Sequence, residues 1–183
     1  MFINDDNILK MPNDVLRQKC NDVELPLSKQ DEELLISMLE YVRNTHDEEY
    51  CNKNNCRPSV GIAAPQIGIA KKMIAISVED DEKLYEFALV NPKIISNSTK
   101  KAYLENGESC LSVVPDVQGL VPRFASIKVR AYNLLSKQIE DIRVDGYISI
   151  VMQHELDHLN GVLYFDKIDK KNPFKEIENA IVI

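Results

Sequence analysis

Residues 145–161 read DGYISIVMQHELDHLNG, and the fold turns on them. Asp145 stands where a helix cap belongs and Gly161 where a helix stops, so the spacing predicts one helix over 146–160. On that helix His154 and His158 stack on one face, four residues apart, and both imidazoles reach a single point. The chain has only three histidines. Two of them in an H-E-x-x-H run point to a divalent metal site, with Glu155 beside it to move protons. The same face carries Tyr147, Ile150 and Val151, one to two turns earlier. A metal beside an apolar wall is what recognition of a hydrophobic side chain requires.

Two imidazoles are too few for a catalytic site, which commonly uses three protein ligands and leaves one position for water. A metalloprotease of the H-E-x-x-H-x-x-G-x-x-H kind would need histidine at 164, where this chain has Tyr164. A downstream carboxylate, Glu176 or Glu178, lies at a tolerable distance but in a polar tail, FKEIENAIVI. The remaining soft ligand is Cys110, upstream in GESCLS, which with two imidazoles makes a tetrahedral set with one open position.

Working outward from the helix, the upstream pattern is that of an α+β protein. Pro12 opens a short helical turn. Ser28, with Asp31 three residues on, caps a helix whose Leu34, Leu35, Met38, Leu39 and Val42 form one buried stripe. From Asn44 to Pro58 the chain is polar and irregular, expected as a surface excursion. Short β-type runs follow at Val60–Ala63, Met73–Val78, Tyr85–Val90, Lys93–Ser96, Ile127–Tyr132 and Ile139–Val144. The alternation of Ile127, Val129 and Ala131 suits an antiparallel strand with one buried face. Strands first and one late buried helix argue against alternating βαβ units.

The 183 residues are expected to form one domain, 1–183, of ordinary globular composition, with 44% hydrophobic and 28% charged residues. A net charge of −7 argues against direct binding to a nucleic-acid backbone. No apolar run reaches membrane-spanning length, and MFINDDNILKM has no signal-peptide pattern, so a cytoplasmic protein is expected. The four cysteines fit no dense disulfide framework. Cys51 and Cys56 read as loop thiols, since only His46 lies near them in sequence.

Three motifs, SVGIAAPQ (Ser59–Gln66), ESCLS (Glu108–Ser112) and QHELDH (Gln153–His158), taken in this order, resemble those of peptide deformylases. The resemblance spans the chain from the Pro12 turn to about Asp169. The polar excursion before SVGIAAPQ and the short apolar ending are similar to the bacterial type-2 group. The resemblance implies antiparallel sheets around a central metal-binding helix near the C-terminus, and removal of the formyl group from the N-terminal methionine of new proteins. It implies Fe(II) as the native ion, with Zn, Ni or Co as substitutes, held by Cys110, His154 and His158. Glu155 would act as general base and then acid, while Gln66 and the backbone N–H of Leu111 would bind the formyl oxygen as its charge develops. The partners implied are formyl-methionyl nascent peptides, met at the ribosome exit. Val60 and Gly61 could pair with the peptide as an added strand, with Ser109, Tyr147, Ile150 and Val151 lining its site.

Beside the ligands, Asp157 and Gln153 could orient imidazole N–H groups, or Asp157 could pair with Arg123. Arg57 and Arg130 read as ordinary surface or strand charges. The chain departs from the family in having Ser59 and Ser109 where the family has glycine. If position 109 requires φ > 0, serine there would strain the residue adjoining Cys110 by about 1–3 kcal/mol, and if only close approach matters, its hydroxymethyl group would crowd the substrate's backbone. A deformylase-like protein with weak turnover is therefore a second reading, and a metallopeptidase using Glu176 a third.

Overall fold

The computed structural model describes residues 1–80 and 83–183. Its frame is a five-stranded antiparallel sheet in the order β1-β2-β3-β6-β7. The strands are β1 (Gly61–Ala63), β2 (Met73–Asp80), β3 (Lys83–Asn97), β6 (Ser126–Asn133) and β7 (Gln138–Asp145). A smaller sheet, β5-β4-β8, joins Arg123–Phe124, Lys101–Tyr103 and Ile181–Val182. Its β4–β5 pair runs antiparallel and its β4–β8 pair parallel.

Helices cover both faces of the larger sheet, and the alternation of side chains along the strands explains how. On β2, Met73 and Ala75 face helix α1 (Lys29–Asn44), packing with Leu35, Met38 and Val42. Ile74, Ile76 and Val78 point the other way, into helix α3 (Gly146–His158), against Ile148, Val151, Met152 and Leu156. A strand buried on both faces reads as a nearly continuous apolar run, as MIAISV does with Ser77 its one polar residue. β6 needs only one buried face, and there Ile127, Val129 and Ala131 pack toward α3 while Arg130 pairs with Asp141 at the surface.

Local chemistry sets the ends of these elements. The Ser28 hydroxyl accepts from the Asp31 N–H at 3.1 Å and starts α1. Asp145 precedes α3 but makes no side-chain cap bond, contrary to the expectation from sequence. The helix stops at His158, two residues sooner than expected, and Gly161 follows at φ +70°. A side chain at Gly161 would run into the Arg17 carbonyl, so this position needs glycine for space as well as for conformation.

Two further expectations need correcting. The runs Tyr85–Val90 and Lys93–Ser96 are one long strand, β3, interrupted by a register shift after Val90 where Asn91 takes φ +51°. The polar excursion contains a short helix, α2 (Glu48–Asn54), started by the Asp47 carboxylate accepting from Glu49 and Tyr50 N–H groups. Cys51 is buried on that helix rather than lying in a loop. Among the described residues no helix is long and apolar enough to cross a membrane.

Candidate metal centre

Helix α3 presents His154 and His158 on one face, their ring centroids 5.1 Å apart. Across from them, the segment after β4 carries Cys110, whose Sγ lies 3.3 Å from His158 Nε2. Among the described residues, Cys110, His154 and His158 bring one ligand atom each within 4.8 Å of one another. Cys110 and His158 are buried. Glu176 and Glu178 are exposed and stand outside this group.

The orientation of His154 is fixed by a residue to which sequence reasoning gave no role. Its Nδ1 lies 2.8 Å from Glu108 Oε2, which leaves Nε2 for a metal. Glu108 is gripped on its other side by Arg123, whose Nε and Nη2 donate to its two oxygens at 2.7 and 2.8 Å. Arg123 is almost wholly buried and also donates to Asp157. Burial works against a charge on Glu108, but its bonds to Arg123 and His154 outweigh that and hold its pKa at about 2. Asp157 is thus the ion-pair partner of Arg123. Gln153 does not touch an imidazole; it accepts from Phe124 N–H and donates to Phe124 C=O, tying α3 to β5.

Gln66 sits in a 3-10 turn, Ala64–Ile67, directly after β1. Its Oε1 accepts from the Ala63 N–H at 2.8 Å, so its amide can turn only its NH₂ toward the centre. That group lies 3.3 Å from Ser112 Oγ and 3.6 Å from Cys110 Sγ. Leu111, next to Cys110, is buried, and its carbonyl accepts from Arg57 Nη2 at 2.6 Å. Arg57 also donates to Asp5 at 2.8 Å. It therefore pins the Cys110–Leu111 segment at the wall of the groove and is not the ordinary surface charge that the sequence suggested.

Glu155 is buried, and its Oε2 has no hydrogen-bond partner among the described residues. Burial is the main reason its pKa is pushed up to about 7. A carboxyl with that value and an unspent oxygen can both take and return a proton near neutral pH. Gly61 makes room for it, since a Cβ there would lie 2.5 Å from Glu155 Oε1. His158 is held well below its usual pKa by burial and by His154 beside it, so its ring stays neutral and can donate a lone pair.

Val60, Gly61, Ser109, Tyr147, Ile150 and Val151 line a groove of about 830 Å³ that opens onto Glu155 and Cys110. Ser109 is exposed, and it is not among the non-glycine residues at positive φ, which are Asn55, Asn91, Lys137 and Asn179. The strain considered for Ser109 is therefore absent. Tyr164, noticed in the sequence only for not being histidine, stacks on His154 with the rings 6.0 Å apart and 20° from parallel. Its hydroxyl accepts from Val117 N–H at 2.8 Å.

Comparison with known proteins supplies the family. The family model described as polypeptide deformylase matches residues 5–174. The chain is 50% identical over 179 residues to peptide deformylase 2 of Bacillus subtilis (strain 168), covering 97% of each. It is 46% identical over 175 residues to a peptide deformylase of Oceanobacillus iheyensis, covering 95% of each. Among solved structures it is similar to a probable peptide deformylase from Synechococcus phage S-SSM7. That match has a TM-score of 0.71 and 35% identity, and covers 88% of this chain and 98% of that one.

Proposed function

Because this chain belongs to the polypeptide deformylase family, we propose that its groove receives the formylated N-terminal methionine of newly made polypeptides and hydrolyses the formyl amide. One observation carries the reading: a thiol and two imidazoles converge beside a buried carboxyl with an unspent oxygen and an amide donor of fixed orientation.

Cys110, His154 and His158 fit a divalent ion, since one soft sulfur and two imidazole nitrogens suit Fe, Zn, Ni and Co alike. We assign Fe(II) as the native ion on the family resemblance, with Zn, Ni or Co as substitutes. When bound, the ion supplies the Lewis acidity that makes water nucleophilic near neutral pH. Glu155 Oε2 takes the proton as water attacks the formyl carbon, then hands it to the amine nitrogen as the C–N bond breaks, giving formate and a free N-terminus. Gln66 Nε2 and the Leu111 N–H donate to the formyl oxygen as it gains charge, and a donor of this kind contributes about 2.7–4 kcal/mol to the transition state. Tyr147, Ile150 and Val151 receive the methionine side chain. The peptide is met in the cytoplasm as it leaves the ribosome.

The test is an anaerobic assay of iron-loaded protein on formyl-Met-Ala-Ser, reading formate and free amine together. Release of both, lost in Glu155→Ala, supports the reading. Formate no faster than in the Glu155→Ala control would remove it.

A further inference from the structure

β1 is an outer strand of the larger sheet, and its pairing determines which backbone groups look outward. Ser77 N–H donates to Val60 C=O at 3.0 Å, and Gly61 lies opposite Ile76. In an antiparallel ladder, neighbours alternate between facing the partner strand and facing away, so Gly61 turns its N–H and C=O to the open edge. That edge walls the groove, next to Glu155. It is where an extended peptide would add itself as a strand, exchanging main-chain hydrogen bonds.

The Gly61 carbonyl is already engaged. The Ser59 hydroxyl donates to it at 2.6 Å and lies 3.4 Å from the Gly61 N–H. The next outward N–H, that of Ala63, is spent on Gln66. The Ser59 hydroxyl is not needed to hold its own backbone, because the Ser59 N–H donates to Thr45 Oγ1 at 3.2 Å, whose one proton is shared between the Val42 carbonyl at 2.9 Å and the Ser59 carbonyl at 3.1 Å.

We propose that Ser59 is a positioning residue that sets peptide affinity, its hydroxyl occupying the Gly61 carbonyl that a main-chain N–H of the substrate must take. Each peptide that docks along β1 turns the hydroxyl away first, exchanging an internal hydrogen bond for an intermolecular one. The exchange weakens binding and leaves the reacting groups untouched. The inference rests on the deformylase reading for the identity of the peptide, and on the geometry of β1 for the rest.

Steady-state kinetics on formyl-Met-Ala-Ser with iron-loaded protein decide it. Ser59→Ala and Ser59→Gly should each lower KM about three- to tenfold, the worth of one net hydrogen bond, with kcat within about twofold of the parent. Ser59→Thr, which keeps a hydroxyl, should keep the parent KM. An unchanged or raised KM in both Ser59→Ala and Ser59→Gly overturns the proposal, as does a fall confined to kcat. Parent protein that releases no formate would defeat the deformylase reading instead. Calorimetric binding of the same peptide, with and without Ser59→Ala, then still decides this one: tighter binding supports it and equal binding ends it.

Discussion

At Glu108 four side chains are tied into one line: Asp157, Arg123, Glu108 and His154. Three of them are charged and buried or nearly so, an arrangement that persists only when every member is paired. The site therefore depends on Glu108 as much as on its ligands. Glu108→Gln should lower metal affinity about 10- to 100-fold, measured by competition with a chelator, because the imidazole loses its charged partner. Unchanged affinity would mean that His154 is oriented by packing against Tyr164 alone. His154 and His158 could be singled out in the sequence because their spacing puts them on one helix face, whereas Cys110 was singled out through the family resemblance. Glu108 was not, although it opens the ESCLS motif, because its role exists only through Arg123, fifteen residues away in sequence but in contact across the fold. Arg57 was misread for the same reason: its partners, Asp5 and the Leu111 carbonyl, are about fifty residues distant on either side.

Among the elements, α1, α3 and most of the larger sheet could be read, whereas the smaller sheet and α2 could not. α1 and α3 carry apolar stripes long enough to declare their period, and β6 shows its alternation. β4, β5 and β8 are two or three residues each and exist because neighbouring strands accept their hydrogen bonds. α2 was hidden because only Cys51 of its seven residues is buried. The break within β3 was read as a strand boundary because Asn91-Pro92 is turn-like in sequence, whereas the pairing with β6 shifts register and continues. The end of α3 offers the sharpest test at this scale. Gly161 sits at φ +70° with the Arg17 carbonyl where a side chain would go. Gly161→Ala should cost at least about 1–3 kcal/mol, or roughly 2–12 °C in Tm for a chain of this size. A variant as stable as the parent would show that the Arg17 segment gives way freely.

For the whole molecule, the larger sheet clamps α1 on one face and α3 on the other, and the groove lies where the outer strand β1 meets α3. Cys110 and the two histidines come from distant parts of the chain, so an ion held by all three would link metal binding to the fold. At free Co(II) about 1,000-fold above Kd the folded state gains about 4 kcal/mol, a rise of roughly 8–16 °C in Tm. Chelation should reverse that rise, and Cys110→Ala should abolish it. An identical rise in Cys110→Ala would place the ion elsewhere.

The most direct measurement is X-ray absorption at the zinc edge of protein loaded with one equivalent of Zn(II). The account predicts one sulfur at about 2.3 Å and two imidazole nitrogens at about 2.0–2.1 Å, with one lighter ligand completing four-coordination. A first shell of nitrogen and oxygen alone, with no sulfur, would contradict it.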